Sequence, residues 1–595
     1  MIAASSADLP VSPFERLRDM RSLRIIFPAV LILAITFMAF TPCLKNGFVN
    51  EWDDDLYVRG NADIQHLSVQ TTARVFSSFY AATYLPVTML SYMLDHQLGG
   101  LDPFGYHLTN LIFHLLNCLL VFWLVGMLSR NILVSFITAL LFGVHPLHVE
   151  SVAWISERKD VLYAAFFLLS MISYCYYLKT RKRGRSYWLA VVFFALSLLS
   201  KAMAITMPLL LLLTDYLSGR PRERGVATDK IPFFSLALCV GLVGFFGQVP
   251  AMRTGHVLSF FEKCLCPSYA CLFYLGKILW PTKLSCYYPF TGIKDLPVYL
   301  FSLGGWLALL VLTLRSATRT RKVVFGVFFF LITLLPVLQF VQMGLAIVAD
   351  RYVYLASLGI FYLIAEGIVW AYGKVAQKDR WLGACSLAVF LIPMIGICSV
   401  LTWDRCAVWK DGLTLWNDAL KNYPSAPAYS QRGLWFVGVG EPREARKDFE
   451  RAVAADPSFV NPYLNLGILT KKSGKYVEAI AQFEKVLALD PRNAEAYFNI
   501  GHVYVLLGRI SEAALYYEKV LQIKPDHALC CYAYGLVLDV MGKKEDAVRW
   551  VKRAIELSPG DVSSSQTLAR LYAEMGREKE RPDLYQTPVH NGTGH

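Results

Sequence analysis

The chain has 595 residues, of which 55% are hydrophobic and only 17% charged; its mean hydropathy is +0.42 and its formal charge +13. Soluble domains run at about 45–50% apolar and about 25% charged, so the composition excludes an ordinary soluble protein and points to a polytopic membrane protein. The basic residues cluster between apolar runs, as in cytoplasmic loops under the positive-inside rule, and this excludes a nucleic-acid partner as the reason for the charge.

Residues 1–24 form a short N-terminal segment in which Arg16, Arg18, Arg21 and Arg24 directly precede the first apolar run, residues 25–40. Positive flanks keep this terminus cytoplasmic, and the run is long enough to stay as an anchor rather than be cleaved as a signal. The stretch Glu51-Trp52-Asp53-Asp54-Asp55 therefore reaches the external face within a loop of residues 42–105. Four acids in five positions beside an interfacial tryptophan form a candidate catalytic cluster. A carboxylate there can act as general base on a hydroxyl or hold a metal against a phosphate leaving group.

Further runs of spanning length, about 17–25 residues, fall near residues 106–128, 132–148, 161–178, 186–200, 202–218, 231–249, 297–314, 323–343, 352–372 and 381–402. Arg/Lys clusters lie at 181–185, 220–224, 315–322 and 374–380. All four are cytoplasmic if the chain crosses eleven times, with residues 250–296 as a second external loop. The thirteen cysteines are scattered, mostly inside apolar runs, where a thiol acts as a small hydrophobe, so no disulfide framework is expected.

At the end of the third run, leading towards the fourth, lies His145-Pro146-Leu147-His148-Val149-Glu150. Its spacing offers a divalent-metal site from His145, His148 and Glu150, or simply hydrogen-bonded structure; no other cofactor is indicated. Arg158 and Lys159 are candidates for contacting a phosphate, since a guanidinium matches it bidentately and an amine adds a point charge. Lys201 and Arg351 fall at the external interface against the positive-inside trend, which invites an anionic partner such as a lipid phosphate.

From about residue 409 the composition turns soluble and amphipathic. Pro457, Pro491, Pro525 and Pro559 recur every 34 residues, the tetratricopeptide period. In the same register stand Gly433, Gly467, Gly501 and Gly535, and Ala445, Ala479, Ala513 and Ala547. Small residues at those places let paired helices approach. The expected repeats are 426–459, 460–493, 494–527 and 528–561, within a repeat domain of 409–577 and ahead of a disordered tail, 578–595. The fold class is thus all-α: a helical membrane domain, residues 25–408, followed by an α-solenoid.

Trp52-Asp53-Asp54, Gly105-Tyr106-His107-Leu108-Thr109-Asn110, the segment from His145 to Ala153 and Asp350-Arg351-Tyr352 together resemble the GT-C glycosyltransferase superfamily. The nearest match is its transmembrane-and-tetratricopeptide-repeat group, related to protein O-mannosyltransferases. The resemblance implies a polyprenyl-phosphate sugar donor entering from the lipid bilayer. It implies Asp53 as catalytic base with Asp54 as partner or substitute, and Arg158, Lys201 and Arg351 around the donor phosphate, where Lys159 is a candidate by its charge. It also implies a protein or peptide acceptor held by the repeats. Compact loops favour a bacterial inner membrane with periplasmic repeats; the other setting is an endoplasmic reticulum membrane with lumenal repeats. The competing reading is a non-catalytic membrane scaffold that displays the repeats to partner proteins.

Overall fold

In water-free surroundings every backbone polar group must bond within the chain, and an apolar run does so by forming a helix. The computed structural model describes residues 13–220, 224–252, 259–290, 296–340 and 346–577. Each of the eleven apolar runs is helical there, and among the described residues the only β pairing is the isolated Tyr80–Thr83 bridge. The expected tail, 578–595, lies outside the described residues. The chain divides into two compact units, residues 1–423 and 424–595.

Eleven helices are not eleven spans. Among the described residues seven helices are long and apolar enough to cross a membrane, or eight if the bent pair Ile132–Val144 and Pro146–Ala153 counts as one. The protein is a multi-pass membrane protein, and the eleven expected spans are not all matched by full-length helices among the described residues. Helices Arg185–Ser200, Met207–Leu217 and Arg321–Leu334 have 16, 11 and 14 residues. At about 1.5 Å per residue they fall short of a hydrocarbon core of about 30 Å.

The Ile155–Thr180 span is central to this unit, with 72% of its apolar stretch buried, whereas Arg380–Val408 buries 6% and turns Trp381, Val389, Phe390 and Ile392 outward. Small residues set the close crossings. A Cβ on Gly359 would run into the Gly326 carbonyl of the neighbouring helix and lie 3.0 Å from the Phe330 amide, the kind of backbone approach that helix packing in lipid relies on.

The first unit ends at Tyr423 rather than near residue 408. The added helix, Gly412–Asn422, starts on an Asp411 cap and buries Leu415, Trp416 and Ala419. Just before it, the Gly47 amide donates to the Lys410 carbonyl at 2.9 Å.

The second unit consists of helix pairs Ala426–Gly438 with Pro442–Ala455, Val460–Lys472 with Tyr476–Leu489, Ala494–Leu506 with Ile510–Ile523, and Ala528–Val540 with Lys544–Leu557, followed by Val562–Glu574. Ala445, Ala479, Ala513 and Ala547 are all fully buried. Gly440, Gly474, Gly508, Gly542 and Gly576 recur every 34 residues with φ between +71° and +81°, closing the first helix of each pair in a conformation that a side chain resists. Gly433, Gly467 and Gly501 each lie under an aromatic ring of the second helix, Phe449, Phe483 and Tyr517. Gly467→Ala should therefore overpack against Phe483 and cost about 1–3 kcal/mol, read as a lower unfolding midpoint of the repeat unit in thermal denaturation of the full chain.

Candidate active site

The site is built around a break. His145 precedes Pro146 and is extended, at φ −77° and ψ 128°, as the residue before a proline prefers, and the chain bends by 53° between Ile132–Val144 and Pro146–Ala153. The break leaves the Phe142, Gly143 and Val144 carbonyls without helical partners. His148 Nδ1 meets the first at 2.7 Å, His114 Nε2 the second at 3.0 Å, and Thr402 Oγ1 donates to the third at 2.7 Å. Beyond the bend, Asn110 Nδ2 donates to the Val152 and Trp154 carbonyls at 3.2 and 3.1 Å, and Tyr92 OH to Ile155 at 2.8 Å.

These bonds settle the histidines. His145 Nε2 meets the Ile278 carbonyl at 3.0 Å, and its Nδ1 accepts from the Leu147 amide at 3.3 Å. His148 Nε2 meets Ser357 Oγ at 2.9 Å. Glu150 faces Arg351, accepting from its backbone amide at 3.0 Å and from Nη1 at 2.5 Å. Of the two readings of His145, His148 and Glu150, these bonds match hydrogen-bonded structure: every ring nitrogen of the two histidines has a partner and the carboxylate is paired. Among the described residues no group of three or more His, Cys, Asp and Glu is arranged to hold a metal ion.

The two aspartates separate just as clearly. Asp54 is fully buried. Its Oδ2 accepts from the Val49 amide at 2.8 Å, and its Oδ1 from the Ser156 amide at 3.0 Å and the Ser156 hydroxyl. It pins the first loop to the turn before the central span, and its full burial leaves it no surface open to solvent. Burial pushes its carboxyl up to about 6 against the pull of those donors. Asp53, by contrast, has 27% of its side chain exposed and stands 4.0 Å from Lys159 Nζ. Burial raises its carboxyl above the ordinary carboxylate value, and Lys159 opposes the rise. Trp52 beside it rests against Trp154 and Trp416, with ring centroids 4.4 and 5.1 Å away.

Lys159, Lys201 and Arg351 come together as expected, but Arg158 does not. Lys159 reaches Glu157 at 3.1 Å and lies over the Tyr57 ring. Lys201 reaches Glu157 at 3.3 Å and also pairs with Asp160, while Arg351 Nε reaches Glu157 at 3.4 Å. The Arg158 side chain is completely buried on another face of the same helix. It pairs with Asp95 at 2.6 Å, donates to the Tyr106 carbonyl at 2.8 Å and bonds Asn110. Its donors are spent inside the fold, so it does not join the other three cations. The sequence assigns no site role to Glu157, Asp160 or Ser156, and gives Asn110 only as part of a motif. The run Glu157-Arg158-Lys159-Asp160 was the available signal, since such a concentration of charge opening an apolar span has to be internally paired.

Comparison with known proteins follows the same division. A TPR repeat family model matches residues 469–508, and a tetratricopeptide repeat model matches residues 494–527. The C-terminal unit is a tetratricopeptide-repeat array. Over most of its length the chain is similar to the Drosophila melanogaster protein O-mannosyl-transferase Tmtc1, at 24% identity over 73% of this chain and 62% of that protein. It is also similar to the Caenorhabditis elegans protein O-mannosyl-transferase F38B6.6, at 25% identity over 72% and 63%. The human protein O-mannosyl-transferase TMTC1 matches at 26% identity over 66% and 50%. The chain thus spans less than two thirds of the length of these relatives. Among solved structures, MamA 41-end from Desulfovibrio magneticus RS-1 matches at 23% identity, covering 27% of this chain and 90% of that one, with a TM-score of 0.25.

The Asp54 pin yields a stability prediction. Asp54→Ala strands the Val49 and Ser156 amides and should cost about 3 kcal/mol, seen as a lower thermal midpoint by tryptophan fluorescence. Because the folded state holds the Asp54 proton up to about 6 and the unfolded chain releases it at about 4, this group's contribution is complete below about pH 4 and is lost as pH rises through about 6. Asp54→Asn should flatten that part of the midpoint-versus-pH curve relative to wild type.

Proposed function

We propose that the protein is an integral-membrane glycosyltransferase that moves a sugar from a polyprenyl-phosphate donor to a protein hydroxyl, with mannose as the sugar. The observation that carries the reading is the accessible Asp53 carboxylate beside Lys159, which shares Glu157 with Lys201 and Arg351. The names of the relatives support the same class of reaction.

In this reading Asp53 takes the proton of the acceptor hydroxyl as its oxygen attacks the anomeric carbon, and the bond from that carbon to the donor phosphate breaks. The three cations neutralise the charge that builds on the departing phosphate. Asp54 acts only through the backbone, holding Asp53 in register. The N-terminus is cytoplasmic and the site and repeats are external, in a bacterial inner membrane. The repeats bind the protein acceptor, a use that stacked helical pairs suit.

The test is transfer from radiolabelled polyprenyl-phosphate mannose in membranes holding matched amounts of folded protein. Asp53→Asn should lower kcat by about a hundredfold or more, as expected for loss of a general base, while leaving the thermal midpoint near that of wild type. A base works only when ionised, so kcat/KM should fall as pH drops through the Asp53 pKa. Burial places that acid limb above the ordinary carboxylate value. Equal transfer by wild type and Asp53→Asn would remove Asp53 from the chemistry.

A further inference from the structure

Glu157 takes no part in the chemistry just described, yet its side chain is 2% exposed and touches every cation of the site. Lys159 Nζ and Arg351 Nε both approach Oε1, at 3.1 and 3.4 Å, and Lys201 Nζ approaches Oε2 at 3.3 Å. The cations arrive from three separate parts of the chain and are 10%, 14% and 16% exposed, so the carboxylate is more deeply buried than the three groups it holds.

Each cation also has a second anion at hand: Asp160 for Lys201, Glu150 for Arg351, and Asp53 itself for Lys159. Without a central carboxylate each would follow its second partner and the three would separate. The consequence is sharpest at Lys159, which Glu157 holds at 3.1 Å while Asp53 stands off at 4.0 Å. A lysine released from Glu157 would close on Asp53 and fix it as an ion pair.

We propose that Glu157 is the positioning residue of this site: it gathers Lys159, Lys201 and Arg351 into one face that receives a phosphate anion, and it keeps Lys159 from neutralising Asp53. The proposal rests on the reading of Asp53 as the base. The charged groups acting on Asp53 are Lys159, Glu157 and Arg351, with Asp54 next to it in the chain. Glu157 raises the Asp53 carboxyl and Lys159 lowers it, so losing the first and tightening the second act in the same direction.

The experiment uses the full chain in lipid nanodiscs, with farnesyl phosphate as a binding probe that requires no turnover and the pH profile of sugar transfer as a second readout. Glu157→Gln keeps the shape and removes the charge. It should weaken farnesyl phosphate binding about tenfold or more, as for the loss of one hydrogen bond to a charged group, and move the acid limb of kcat/KM to lower pH. Glu157→Asp should recover part of both. Lys201→Met should cost several-fold in binding with the acid limb in place, and adding it to Glu157→Gln should cost little more, because the cations are then already dispersed.

Wild-type binding in Glu157→Gln, or lost binding with an unmoved acid limb, would overturn the proposal and leave the donor reading standing. A purely structural Glu157 would produce the second of these. Should Glu157→Gln fail to fold, Lys201→Met with wild-type binding would overturn it equally. A wild-type protein that binds no farnesyl phosphate would bring down the donor reading and this inference together.

Discussion

A helix interrupted inside an apolar bundle exposes carbonyls that lipid cannot satisfy, and the first unit is arranged around one such interruption at His145-Pro146. An unpaired carbonyl in that setting costs several kcal/mol, so the break persists only because His148, His114, Thr402, Asn110 and Tyr92 supply bonds to it. These partners come from the spans Pro103–Ser129 and Arg380–Val408, from the loop helix Pro86–Gly99 and from the broken segment itself. The polar residues deep in the bundle are therefore the condition for turning the chain back on itself.

That turn places the carboxylates. The segment from Val149 to Asp160 carries Glu150, Glu157 and Asp160 in buried positions, where an unpaired charge is prohibitively costly. Lys159, Lys201 and Arg351 answer them, and Arg351 also ties the turn at residues 350–353 to the broken helix through its backbone amide. Asp53 keeps 27% of its side chain exposed beside Lys159, which shares Glu157 with Lys201 and Arg351. Internal pairing and readiness for an external anion are thus two aspects of one arrangement.

Much of this was legible in the sequence. A 34-residue recurrence of proline, glycine and alanine located the repeats, because each position answers a steric demand that returns with every helix pair. Apolar runs located the helices, but span number depends on where turns cut them, and Arg185–Ser200 and Met207–Leu217 are cut short by the turn at Lys201–Thr206 that brings Lys201 to the site. Composition could draw attention to Glu51–Asp55, yet it could not divide labour between Asp53 and Asp54. Those neighbours are chemically identical and differ only in which one faces the Ser156 amide. Arg158 and Lys159 pose the same problem: one step along a helix turns a side chain by about 100°, which sends one cation to Asp95 and the other to Glu157. The histidine spacing left two readings open because a metal site and a set of carbonyl caps call for the same residue types.

The groups that complete the site are far apart in the chain: Asp54 bonds a residue 102 positions later, and Glu150 one 201 positions later. During synthesis the acidic stretch and the carboxylates at 150, 157 and 160 therefore enter the membrane well before Arg351 exists. Lys159 and Lys201 are the only site cations available to them in that interval. Biogenesis must shelter an unbalanced cluster of buried acids until the later spans arrive, and a nascent chain stalled before residue 351 holds Asp53 without the cation set that surrounds it in the finished protein.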